Sequence, residues 1–214
     1  RALDEIKKNT RWFWFPLLIT IVLACALFAY YYSWVDFEWL VEETIRQIPA
    51  EDRAASADAV RGFMNPNTQL MFTLIAVVVM TLVIYLIEAI YFHLANKVTT
   101  GADIGFGQWF NFAAWTAFVG VFGTLAAFVL LFTSDTNQIA TQDLQVLSIN
   151  NLILNAPSDS PWFTWGSSLT LINFWMLALM SIGYARWTGA SMVKSTIIAC
   201  LPWVLIFGIW AATI

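Results

Sequence analysis

The sequence predicts an all-α integral membrane protein, a bundle of five transmembrane helices with a helical loop on its outer surface. Three observations predict it. Of 214 residues 60% are hydrophobic and 11% charged, with a mean hydropathy of +0.70, whereas an ordinary soluble domain has about 25% charged residues. A single water-soluble core of this size has no room for so much apolar surface. The apolar residues also gather into five runs of the length, about 20 residues, that carries a helix across a hydrocarbon core of about 30 Å. Finally, the alternating ten-residue segments of a closed barrel are not found, which leaves helices to satisfy the backbone in lipid.

Taken in order, residues 2–10 place Leu3 and Ile6 among charges and predict a short amphipathic helix on the inner membrane surface. The first span, about 12–34, is uncharged, and Pro16 falls near its first turn, where a missing N–H costs least. The basic flank and V-L-A-C ending of "KKNTRWFWFPLLITIVLAC" imitate a signal peptide. The apolar run continues through "ALFAYYYSW", however, so a retained span is expected. Next, "VDFEWLVEETIRQI" sets Phe37, Leu40, Val41, Thr44, Ile45 and Ile48 at helical spacing, and "AEDRAASADAVRGFMNP" is helix-like up to Gly62 and Pro66. The expectation is a helical hairpin divided at "IPAEDRAA" and lying against the membrane, with Trp34 and Trp39 as interfacial aromatics.

The second span, about 69–95, has no charge before Glu88. "NKVTTGADIGFGQW" is an irregular turn with three glycines; it lacks the preceding strand and the following Lys-Ser/Thr of a phosphate-binding loop. The third span is about 109–132. "DLQVLSINNLILNAPSDSPWF" holds an apolar stretch too short to span, expected as an interfacial or re-entrant helix stopped by Asn155 and Pro157. The fourth and fifth spans are about 167–185 and 195–214. Gly120 with Gly123, and Ala178 with Ser181 and Gly183, are small residues of the kind that let helices approach closely in lipid. Residues 1–214 therefore read as one transmembrane domain.

Orientation follows from Lys and Arg in the flanks. Arg1, Lys7, Lys8, Arg11, Lys97, Arg186 and Lys194 fall on one side, against Arg46, Arg53 and Arg61 on the other. The N-terminus is expected in the cytoplasm and the C-terminus outside, in a bacterial inner membrane. Most acids then lie on the outer face, so the low pI of 4.8 describes that face and gives no support to nucleic-acid binding. Cys25 and Cys200 fall in opposite halves of the membrane, too far apart to pair.

With one histidine and no nucleophile beside a base, neither an enzyme nor a metal or other cofactor is expected. Glu88 and His93 are five residues apart, about 140° around a helix, and cannot jointly hold one ion; Asp103 would join either only if the glycine turn folded back. Thr81, Tyr85 and Glu88 share a face and form a candidate polar intramembrane site together with His93 and Asn173, the last expected mid-span. Three readings of Glu88 are open. Leu70 to Ile87 already spans about 27 Å as helix, which puts Glu88 at the cytoplasmic boundary and His93 among headgroups. The boundary reading is the one expected, with Glu88 ionised and Arg186, Lys194 or Arg11 as its partner; a structural pairing with a cation is the second reading. Transport chemistry is the third.

The order of features carries a family resemblance. "ALDEIKKNTRW" precedes the first span and "SWVDFEWLVEETIRQIP" follows it; "ANKVTTGADIGFGQWFNFAAWTAFVGVFGTL" is a glycine turn feeding the third. "YARWTGASMVKSTIIACLPW" joins the last two spans and is the most telling stretch. Across nearly its whole length the chain resembles the Yip (YIPF-type, Rab/Ypt-interacting protein) family, in particular its short bacterial members. The resemblance implies five spans and no known enzyme activity. Eukaryotic relatives bind Rab GTPases and each other in vesicle traffic; this sequence shows neither their long cytosolic N-terminal region nor a D-L-Y-G-P stretch in its first span, and a Rab role is not expected. The sequence thus predicts a non-enzymatic membrane protein that works through helix packing with partner membrane proteins, a second copy of itself or lipids. The alternative is a small-solute or ion transporter using Glu88.

Overall fold

Helices form wherever the apolar runs lie, because a chain without water around it has to bond its own amides. The computed structural model describes residues 2–48 and 50–214. Arg1, counted in the basic flank, and Pro49, at the division of the hairpin, lie outside them. In order come α1 (Ala2–Lys8), a 3-10 turn (Thr10–Phe13), α2 (Trp14–Trp34), α3 (Phe37–Arg46), α4 (Ala50–Phe63) and α5 (Pro66–Thr99). Then follow α6 (Phe106–Ala117), α7 (Gly120–Thr133), α8 (Pro161–Ser168), α9 (Leu171–Thr188) and α10 (Met192–Thr213). Among the described residues, β pairing is confined to one bridge between Ser148 and Thr170. Four stretches are long and apolar enough to cross a membrane: Thr10–Trp34, Pro66–Thr99, Phe106–Thr133 and Met192–Thr213. The chain is an all-α, multi-pass membrane protein.

The fourth run begins later than its hydropathy suggests. Leu169 is extended, and its carbonyl accepts from Ile149 N–H at 2.7 Å, so Ser168 ends α8 and α9 starts at Leu171. That shift moves Asn173 from mid-span to the first turn of α9. With Asn173 and Arg186 inside it, α9 is not among the four most apolar stretches.

The chain forms two compact units. The first comprises the residues up to Val22, Val78–Val121 and Ile172–Thr213. Its centre is aromatic: Trp109 packs on Phe92 at 5.8 Å and on Tyr184 at 5.6 Å between ring centroids, and Phe112 meets Trp187 at 5.0 Å. Ile6 of α1 is buried in this cluster, so the expected amphipathic helix packs its apolar side on protein rather than on lipid. Hydrogen bonds explain the difference. Asn111 Nδ2 donates to the carbonyls of Ile6 and Asn9 at 2.6 and 3.1 Å, and Gln108 Nε2 donates to that of Lys7 at 2.9 Å. Trp187 Nε1 donates to Leu3 O at 2.9 Å, and Arg186 grips both oxygens of Asp4 at 3.1 and 3.0 Å. The last carbonyls of a helix have no partner within it; here α6 supplies one for those of Ile6 and Lys7.

Two glycines of the small-residue sets behave differently. A Cβ on Gly183 would fall on the Phe112 ring, so α9 reaches the aromatic centre only because that atom is missing. Around Gly120 the space is open; it stands where α7 starts after the break at Phe118 and Val119. In α10, Pro202 has no N–H to give to the carbonyl four residues back, that of Ile198. The Tyr91 hydroxyl of α5 donates to this carbonyl at 2.6 Å. Lys194 Nζ closes the end of α5 in the same manner, on Thr99 O at 2.8 Å.

The second unit comprises Leu23–Val77 and Phe122–Leu171. Leu27, Val35 and Leu40 pack with Ala127, Leu131, Ile139 and Leu144 around Tyr31, whose hydroxyl donates to Ile139 O at 2.8 Å. Asp36 caps α3 by accepting from Trp39 N–H at 3.1 Å and from Gln138 Nε2 at 3.0 Å. The Gln138 bond and the Trp39 amide hold its carboxyl below the usual range. Arg61 joins α4 to α3 through both oxygens of Glu42 at 3.0 and 3.2 Å, and Arg53 Nη2 donates to the carbonyls of Arg46 and Ile48 at 2.8 and 3.1 Å. The apolar stretch before Asn155 is a one-turn π-helix, Asn150–Leu154; Asn155 stops it with φ 48°, and Gly166 packs against Leu154 and Asn150.

Two predictions follow from these contacts. Gly183→Ala pushes a methyl into Phe112 and should lower stability by about 1–3 kcal/mol, read as thermal unfolding in detergent, while Gly120→Ala should not. Tyr91→Phe leaves Ile198 O without a donor and should cost about 1–2 kcal/mol. In a Pro202→Ala background the restored N–H takes over, and the same change should cost less than half as much. Equal costs in the two backgrounds would show that the hydroxyl does not stand in for the missing amide.

Candidate functional site

α5 carries most of the polar side chains that the sequence singles out. Tyr85 is 3% exposed and packs with Leu17, Ala113 and Ala114, whose small side chains on α6 leave room for its ring. Phe110 meets that ring edge-on at 6.4 Å. Glu88, three residues on, is half-buried, and its Oε2 is buried. Thr20 of α2 lies beside the Tyr85 phenol. Thr20 Oγ1, Tyr85 Oη and Glu88 Oε2 are all buried with no hydrogen-bond partner. Thr81 is half-buried one turn before Tyr85.

His93 and Asn173 stand apart from this group. His93 is half-buried against Phe106, ring edge to face at 6.1 Å, with Nδ1 buried and unpartnered. Asn173 is half-buried in the first turn of α9. The expected ion pair of Glu88 does not form: among the described residues no ion pair includes it. Arg186 is engaged by Asp4 and Lys194 by Thr99 O. Geometry accounts for this, since Thr99 lies eleven residues, or about 16 Å of helix, beyond Glu88.

Three polar positions central to this unit are not singled out by sequence reasoning. Thr20 is a lone hydroxyl in "LLITIV", and Asn111 a lone carboxamide in "WFNFAAW". Asn96, 1% exposed, donates to Ala102 O at 2.8 Å and accepts from Thr100 Oγ1 at 2.6 Å, which shapes the turn where Gly101 takes φ 63°. For Thr20 and Asn111 a signal is available, since a single polar residue in an apolar run needs a partner; Asn96, among Lys97, Thr99 and Thr100, carries no such signal.

Seven buried side-chain polar atoms lack a partner among the described residues: those of Thr20, Tyr85, Glu88, His93, Trp109, Asn111 and Trp115. All belong to the first unit. An unmet buried group costs about 1–3 kcal/mol, so this unit is where water, a cation, or the polar group of another molecule would be accommodated. Among the described residues no three His, Cys, Asp or Glu side chains are grouped to hold a metal, and Cys25 and Cys200 are free thiols.

No curated protein and no solved structure matches the chain. A family model described as the Yip1 domain matches residues 1–213. With its apolar helices and a match over essentially its full length, the chain belongs to the Yip1 family.

Proposed function

We propose that this protein is a non-enzymatic, five-span scaffold of the bacterial inner membrane that works by packing its helices against partner membrane proteins or lipids. In this reading residues 1–214 are one Yip-type transmembrane domain and α9 is the fifth span. The N-terminus is cytoplasmic and the C-terminus outside, with the α3–α4 hairpin lying on the outer surface. The observation that carries the reading is the exposure of α5 and α10. Val79, Leu82 and Ile87 on α5, and Val204, Ile206 and Ile209 on α10, are all exposed apolar residues. Little of the apolar stretch of either helix is buried. Such faces need lipid or another helix against them.

A second reading, small-solute or ion transport using Glu88, is favoured by the unpartnered Thr20, Tyr85 and Glu88 atoms. The exposed apolar side chains of Ile90, Leu94 and Val98 beyond Glu88 also favour hydrocarbon extending past it.

Topology is tested by cysteine labelling from the outer side, which should modify a cysteine replacing Asp143 but not one replacing Asp103. The reverse pattern overturns the orientation. Function is tested with Glu88→Gln in liposomes. On the scaffold reading the variant folds, and neither it nor the parent protein carries a proton- or ion-dependent flux above empty vesicles. A parent flux that the folded variant loses would sink that reading in favour of transport.

A further inference from the structure

A groove of about 690 Å³ lies in the second unit, among Tyr32, α3, α4, Gln69 at the start of α5, and the 3-10 turn Thr141–Leu144. We propose that it binds one membrane lipid whose headgroup carries no net charge. Its volume is within the range of about 300–1,000 Å³ found for small-ligand sites. That is room for a headgroup and the upper part of an acyl chain. Its lining is divided by chemistry: Leu40, Ala59, Val60, Phe63 and Met64 form an apolar wall, and Thr44, Gln47, Ser56, Gln69, Thr141 and Gln142 bring hydroxyls and carboxamides.

The polar groups separate further by what they already do. Thr44 donates to Leu40 O, Gln47 to Glu43, and Thr141 shares a bond with Tyr31. The side chains of Ser56, Gln69 and Gln142 enter no hydrogen bond among the described residues, and they come from three different elements around one space. A carboxamide offers both donor and acceptor, which suits ester carbonyls, hydroxyls and an ammonium–phosphate pair alike.

Among the described residues no charged side chain lines the groove. Of the nearby charges, Glu42 pairs with Arg61 and Glu43 with Arg46 at 2.9 Å, while Arg53 spends its guanidinium on the carbonyls of Arg46 and Ile48. An anionic headgroup would thus find no free cation here, whereas guanidinium or ammonium groups are what recognise phosphate. The occupant is argued from continuity with the lipid-facing surface. Phe63 lines the groove, is 59% exposed, and stacks on Phe72 at 5.9 Å. Phe72 and its neighbour Met71 are exposed on the membrane-crossing helix α5. An acyl chain leaving the groove over Phe63 therefore continues along a surface that already faces hydrocarbon.

This inference requires membrane embedding alone and is independent of the scaffold reading, so a purified protein without partners tests it. The full chain in nanodiscs is exposed to two photoreactive diazirine-acyl probes, a phosphatidylethanolamine without net charge and an anionic phosphatidylglycerol, and the adducts are mapped by peptide mass spectrometry. The phosphatidylethanolamine probe should concentrate on Ala55 to Met64, at least threefold above the phosphatidylglycerol probe. Ala59→Trp, which fills the groove from an exposed position, should reduce that adduct at least fivefold and leave α10 labelling unchanged. Should α10 labelling fall as well, Gln142→Ala decides the matter, since it lies outside the hairpin and should lower the same adduct at least twofold. Labelling spread evenly over the lipid-facing helices, or indifferent to both substitutions, overturns the groove as a site. Equal labelling by the two probes overturns the uncharged headgroup.

Discussion

A carbonyl inside a membrane has no water to turn to, and much of this structure is arranged around that fact. In the first unit, side chains reach across to carbonyls that a helix cannot satisfy by itself. Asn111 serves the end of α1, Lys194 the end of α5, and Lys7 donates to Trp187 O in the last turn of α9 at 3.0 Å. Tyr91 serves Ile198, stranded by Pro202. Hydrogen bonds between membrane helices contribute only about 0.6–2 kcal/mol each. Their effect on placement is larger than that figure suggests wherever water is absent, because a carbonyl in hydrocarbon has no other partner. α1 illustrates this. Its charge pattern is that of a surface helix, yet Ile6 is buried because Asn111, Gln108 and Trp187 draw the backbone of Leu3 to Asn9 inward.

The parts of the fold that were legible in the sequence are those governed by local rules. Length and apolarity place α2, α5, the α6–α7 pair and α10. Helical spacing of Leu40, Val41, Thr44 and Ile45 yields α3, of which Leu40 and Ile45 are buried. Gly101 marks a turn because φ of 63° suits a residue without Cβ. What depended on distant partners was not legible. The start of α9 is set by pairing of Ile149 and Leu147 with Leu169 and Leu171, and no window of local hydropathy contains both strands of that pairing. Glu88 illustrates the same limit. The number and sign of the cations on its side of the chain are readable, but Arg186 meets Asp4 instead, a residue 182 positions away.

The two units differ in how their polar groups are met. In the second, Tyr31, Asp36 and Arg61 all end on protein atoms, and the side chains left over line a groove with an open mouth. Those side chains bond water or a headgroup at little cost. In the first, the leftover atoms are buried, and each one carries a penalty until something arrives. A candidate site read from sequence as a stripe along one helix is, in three dimensions, Tyr85 of α5 beside Thr20 of α2, with Ala113 and Ala114 making the space. The stripe was visible because its spacing is local; Thr20 was not, because it is 65 residues from Tyr85.

Length sets a final constraint on that group. α5 has 34 residues and is about 51 Å long, well beyond the hydrocarbon thickness of about 30 Å. Tilts average about 20°, which shortens the projection by only a few ångströms, so part of α5 stands outside hydrocarbon whatever its depth. The part left outside is decided by which side chains tolerate water. Lys97 and Thr99 tolerate it, and Lys194 fastens the last turn at Thr99. Ile90 and Leu94, exposed and apolar, do not. With Lys97 taken as the last residue in the headgroups, Glu88 lies about 13 Å further in along the helix. Among the described residues that carboxyl has no ion-pair partner, and its Oε2 is buried without a hydrogen bond.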